Sequence, residues 1–208
     1  MLEVLLLCIK HEFKKAEERM EYLVDRLAWD PSCIVNGCQA LVKYSRISVA
    51  QELCKRAFKY VPKDPLISLQ LMKISLDLGD LEEFDDIVDV NGNMLERVEF
   101  PDPFIPYDGL IKTRQSWREL IEESGAEQRP LKSLMKLSEK LIIENNLRRF
   151  QVDSFSDPEG NHLYIHVGIN GSSGDEIASL NHALINLMVE EFSVEPPRAS
   201  IQFVPAKQ

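Results

Sequence analysis

The dipeptide Asp-Pro in "LAWDPSCIVNG" returns in "KYVPKDPLISL", and Asp30 and Asp64 stand 34 residues apart. A period of that length restricts a chain to stacked helix-turn-helix units, because each unit can bury its apolar stripes only against its neighbours. Aligned on Pro31 and Pro65, the two segments each read as an amphipathic helix, a short turn and a second helix. Ser45 falls opposite Gly79 of "LGDLEEF", where glycine supplies the backbone freedom of a tight helix connection, and Ala50 falls opposite Phe84. Pro62 closes the first unit. A further step back sets Ala16 under Ala50 and Met20 under Cys54, and the chain start clips the first helix of that unit.

With the small Ala16, Ala50 and Ala57, the turn Gly79 and the helix-closing Pro62, residues 1–90 resemble a tetratricopeptide repeat array. Ile34 and Ser68 depart from the family's early aromatic, and Leu41 and Ser75 from its later tyrosine. The resemblance implies stacked antiparallel helix pairs that bind an extended peptide or a partner helix along a concave face. It implies no chemistry.

The chain has 208 residues, 44% hydrophobic and 28% charged, the composition of a folded globular protein of one large or two small domains. Its formal charge is -10, and acids outnumber bases in both halves. A phosphate backbone requires clustered Lys and Arg, so nucleic acid and anionic membrane surfaces are not the expected partners. The apolar start "MLEVLLLCIKHEF" is too short to span a bilayer and reads as a core helix, which makes cytoplasmic residence the expectation. Cys8, Cys33, Cys38 and Cys54 form no C-x-x-C pair and lie near no histidine pair, so buried, reduced thiols are expected and no metal or cofactor.

Residues 91–112, with Pro101, Pro103 and Pro106, read as a Pro-rich connection between a 1–90 helical domain and a 113–208 α+β domain. Ser116 and Glu119 have capping-box spacing for a helix ending at Gly125, and a second helix follows Pro130. "LRRFQVDSFSDPEGNHLYIHVGI" alternates about a turn, with Ser156 set against Asn161 and Val152 against Ile165. A helix bearing Ile177, Leu180 and Leu184, then a strand with Ile201 and Phe203, complete the order. The fold class is therefore α+β: helix-pair repeats, then a small antiparallel or mixed sheet with helices on one face, as in ferredoxin-like sandwiches. A fourth strand is sought in residues 94–100 or 104–112.

Two surfaces are candidates for function. One is the groove of the repeats, with Asn36, Lys43, Gln70 and Lys73, edged by the acidic run that includes Glu82, Glu83, Asp85 and Asp86. These point to a non-enzymatic adaptor binding another protein. The other is the open sheet face, with Gln151, Asp153, His162, Tyr164 and His166, the alternative site for an enzyme or small-ligand binder of tautomerase-like arrangement. That chemistry requires an N-terminal proline, and this chain starts Met1-Leu2. His162 and His166 lie about 13 Å apart along a strand, too far to chelate one ion. "GINGSSGDEIA" matches no phosphate-loop pattern and places Asp175 and Glu176 where an anion would sit.

Overall fold

The structure, a computed structural model, describes residues 2–27, 30–98, 107–157, 159–193 and 197–206. Among these the chain forms nine helices followed in part by a three-stranded sheet. It divides into two compact units, Met1–Arg114 and Gln115–Gln208, and the division falls inside one helix.

The first unit holds α1 (Leu2–Ile9), α2 (Phe13–Leu27), α3 (Pro31–Lys43), α4 (Ile47–Tyr60), α5 (Pro65–Asp77) and α6 (Leu81–Leu95). The repeated Asp-Pro is a helix start. The Asp30 carboxylate accepts from the Cys33 N–H at 3.1 Å and Asp64 from Ile67 at 3.0 Å, and each following proline occupies the first helical position, where its missing N–H costs nothing. The turns repeat as closely. His11, Ser45 and Gly79 all have left-handed φ, of 59°, 61° and 65°. Their N–H groups donate to Cys8, Val42 and Leu76, and the next residue in each turn donates to Leu7, Leu41 and Ser75. This double bond satisfies the last helical carbonyls three times over. Across the interfaces, Ala16, Ala50, Ala57, Met20, Cys54 and Phe84 are all fully buried. Burial of each large apolar side chain here contributes about 1.5–3 kcal/mol.

The expected core helix at the chain start is core on one side only: Val4 and Cys8 are buried, while Leu2, Leu6 and Ile9 face outward. The connection also differs. α6 extends to Leu95 and α7 (Tyr107–Ser124) begins at Tyr107, so neither 94–98 nor 107–112 forms a strand. Residues 99–106, with the three prolines, lie outside the described residues. Ser116 is interior to α7 and caps nothing, because the run before it, "YDGLIKTRQ", already propagates the helix. Gly125, at φ 60°, does follow its end.

The second unit continues with α8 (Gln128–Glu144), β1 (Arg149–Ser156), β2 (Leu163–Ile169), α9 (Gly174–Glu191) and β3 (Ala199–Pro205). The sheet is mixed, in the order β1-β2-β3, with β1 antiparallel and β3 parallel to the central strand. Leu163, Ile165, Val167, Ile201 and Phe203 turn inward, as the alternation requires. The hairpin register is two residues from the expected one: Ser156 pairs with Leu163 and Val152 with Val167. Here the Asp157 carboxylate accepts from the Asn161 N–H at 2.6 Å and its own N–H donates to His162 at 3.0 Å, so the loop is longer than a four-residue turn. A shift of two keeps every side chain on its face. At the outer edge of β3, the Asn181 carboxamide donates to the Phe203 carbonyl at 3.0 Å and accepts from its N–H at 2.7 Å, as a neighbouring strand would.

Candidate interaction surfaces

On the first helices of the hairpins, Asn36 and Lys43 are exposed on α3 and Lys73 is half-buried on α5. Gln70 is not a groove residue: it is buried, and its carbonyl oxygen accepts from Gln39 at 3.3 Å. α5 packs against α3, α4 and α6, so its polar side chains must go inward with the apolar ones. They do so in pairs. Asn91 Nδ2 donates to the Pro62 carbonyl at 2.6 Å and to Ser68 Oγ at 2.9 Å, and Ser68 Oγ donates to Asp64. Gln51 Nε2 reaches Ser75 Oγ at 3.4 Å and Asp80 Oδ2 at 2.9 Å. Ser68 and Ser75, the two polar residues among the four departures from the repeat family, are thus the acceptors of buried bonds from neighbouring helices.

The acidic run divides by role. Asp80 is buried on Gln51. Glu83 pairs with Lys55 at 2.7 Å. Burial opposes the Lys55 ammonium, but the bond and charge of Glu83 with the charge of Asp80 outweigh it, so its pKa lies above the ordinary lysine value. Asp85 takes a bidentate guanidinium from Arg114, with both bonds at 2.8 Å. Glu83 and Asp85 therefore hold helices together, whereas Glu82, Asp86 and Asp89 stand exposed. Their spacing of four and three residues sets them on one stripe of α6.

On the open sheet face the aromatic residues form a row. Phe155 and Tyr164 are direct cross-strand partners, their rings stacked at 5.5 Å, with His166 edge-on to Phe155 at 4.9 Å and His162 tilted against Tyr164 at 4.8 Å. His162 Nε2 lies 3.1 Å from Ser200 Oγ, and Gln151 donates to Asp153 at 2.8 Å. Phe155 and Tyr164 turn their ring faces to one another, the arrangement by which cross-strand pairs stabilise a sheet. The two histidines occupy opposite ends of the row, and among the described residues no group of three or more His, Cys, Asp or Glu is placed to hold a metal ion.

The cysteine thiols are free. Cys38 donates to the Ala50 carbonyl and Cys54 to that of Ile67, each at 3.7 Å. The neighbouring Cys38 thiol, with burial, pushes the Cys54 pKa well up. A cavity of about 180 Å³, lined by Asn145, Leu147, Glu176, Ser179, Leu180 and Ala183, is smaller than an ordinary ligand pocket. Among the described residues no helix is long and apolar enough to cross a membrane. Compared with known protein families, curated proteins and solved structures, the chain has no match.

Proposed function

We propose that the chain is a non-enzymatic protein-interaction module of tetratricopeptide-like build, which docks a basic segment of another protein along its helical hairpins. The observation that carries this reading is the division of the acidic run. Glu83 and Asp85 are committed to Lys55 and Arg114, while the exposed Asp86 and Asp89, three residues apart, present their carboxylates to solvent on one helical stripe. A negative stripe speeds the approach of a basic partner, and salt weakens it. Asn36, Lys43 and Lys73 supply polar contacts on the first helices. The test is affinity capture with quantitative mass spectrometry, comparing the parent with Asp86→Lys/Asp89→Lys at low salt. The double variant should lose at least about tenfold of its principal bound protein, roughly 1.4 kcal/mol, with its circular dichroism unchanged. Equal capture by both would sink the reading.

A further inference from the structure

The dipeptide Asn-Gly occurs three times in the chain, and the fold treats the three copies differently. Asn36-Gly37 lies inside α3 and Asn91-Gly92 inside α6, so each glycine N–H donates to the helical carbonyl four residues back. Both pairs are also packed. A β-carbon on Gly37 would run into the Met20 sulfur, and the Asn91 carboxamide donates to Pro62 at 2.6 Å and to Ser68 at 2.9 Å. Asn170-Gly171 stands instead in the exposed turn between the end of β2 at Ile169 and the start of α9 at Gly174. There the Asn170 N–H donates to the Arg148 carbonyl at 3.3 Å, while among the described residues no group bonds to its carboxamide or to the Gly171 N–H. Gly171 has φ 76°, and a β-carbon on it would meet nothing within 4 Å.

We infer that Asn170 is a modification site, at which the folded chain deamidates through a cyclic imide. The Gly171 nitrogen gives its proton to hydroxide and attacks Cγ of Asn170. As that C–N bond forms, the bond from Cγ to Nδ2 breaks, and Nδ2 takes a proton from water and leaves as ammonia, which regenerates the hydroxide. Water then opens the ring at one of two bonds. Opening at Cγ gives aspartate, and opening at the backbone carbonyl gives isoaspartate, with the main chain routed through the side chain. One water enters for each ammonia lost, and nothing is oxidised or reduced. The attack requires an N–H held by no acceptor, a backbone free to leave helical values, and no β-carbon in the way of ring closure. Of the three pairs, the turn alone meets all of these conditions. Either product sets a new carboxylate three residues ahead of the Ser173 cap, and isoaspartate also adds a carbon to the main chain there.

Peptide mapping by mass spectrometry of the full chain, held folded in mildly alkaline buffer made with heavy-oxygen water, tests this. Asn170 should convert, with one solvent oxygen in the new carboxylate and with isoaspartate that a protein-isoaspartate methyltransferase labels. Asn36 and Asn91 should lag by at least about tenfold, because their helices must first open locally. In denaturant the three should convert at similar rates, which assigns the difference to the fold. Conversion at Asn170 should quicken as pH rises, since the attacking nitrogen must lose its proton. Asn170→Gln, whose longer side chain closes the ring far less readily, should end conversion at this position with unchanged circular dichroism. Gly171→Ala serves as the second variant and should slow it at least about tenfold. An Asn170 that keeps its amide as long as Asn36 and Asn91 do, a lead of Asn170 that persists undiminished in denaturant, or an isoaspartate yield unchanged in Asn170→Gln overturns the proposal.

Discussion

The side-chain nitrogen of Asn91 makes one buried bond, to Ser68, and one part-buried bond, to the Pro62 carbonyl, that nothing apolar of similar shape could make. Replacing it with Leu leaves the Pro62 carbonyl and Ser68 without that donor, and an unsatisfied buried polar group costs about 1–3 kcal/mol. Urea unfolding of Asn91→Leu should show a loss of that size. Gly79→Ala tests the backbone at the same scale: at φ 65° a β-carbon costs about 1–2 kcal/mol, and an unchanged melting temperature would show that the turn can relax. The thiols should react in two classes. Cys33 is half-buried, whereas Cys8, Cys38 and Cys54 are fully buried, and burial raises Cys8 as well. One cysteine should label rapidly with an alkylating reagent, and three only on unfolding. Reading the sequence marked Gly79 correctly, because a turn residue acts through its own dihedrals. It marked Ser68 and Ser75 only as mismatches, because their partners lie 23 and 24 residues away and short-range spacing carries no trace of them.

The pattern Ser-x-x-Glu occurs at both Ser116 and Ser173, and of these two only Ser173 caps a helix. At Ser116 helix formers already precede the serine; at Ser173 the stretch "NGSS" breaks the chain first, and the reciprocal box forms, with Ser173 Oγ accepting from the Glu176 N–H at 3.3 Å and Glu176 accepting from the Ser173 N–H at 2.7 Å. Context decided between identical spacings. The backbone and hydroxyl bonds from Ser173 hold the Glu176 carboxyl below its ordinary pKa. A lowered folded-state pKa means that the stabilisation is present above the unfolded value and is lost as pH falls through the folded one. In an NMR titration the Glu176 midpoint should lie below the usual carboxylate range and move back toward it in Ser173→Ala. Strand faces were legible from alternation, since parity survives a slip of two, but the register was not, because it rests on the Asp157 carboxylate capturing the Asn161 N–H inside the loop. Phe155→Ala removes a stacked cross-strand pair and should cost about 0.5–1.5 kcal/mol in the second unit.

For the whole chain, the 34-residue register made the helical half legible almost residue by residue, because one hairpin predicts the next. The α+β half was legible as an order of elements, while the connection was not. Prolines at 101, 103 and 106 suggested a long extended passage, yet α6 and α7 take up both its flanks. The acidic run shows the same limit: its sign was plain, but which carboxylates are committed depends on Lys55 and Arg114, brought in from other helices. The charge reversal confined to Asp86 and Asp89 should therefore leave the melting temperature of the parent intact, whereas Asp85→Lys should lower it. The Asn181 carboxamide on Phe203 bears on a different fate of the molecule. A fibril elongates only if each added sheet offers a fresh edge at its far side, and here one of the two ends is plugged by a side chain. Any strand exchange is then confined to the β1 side, where two molecules meeting edge to edge use up the edges they offer, and growth terminates at a pair instead of seeding a precipitate.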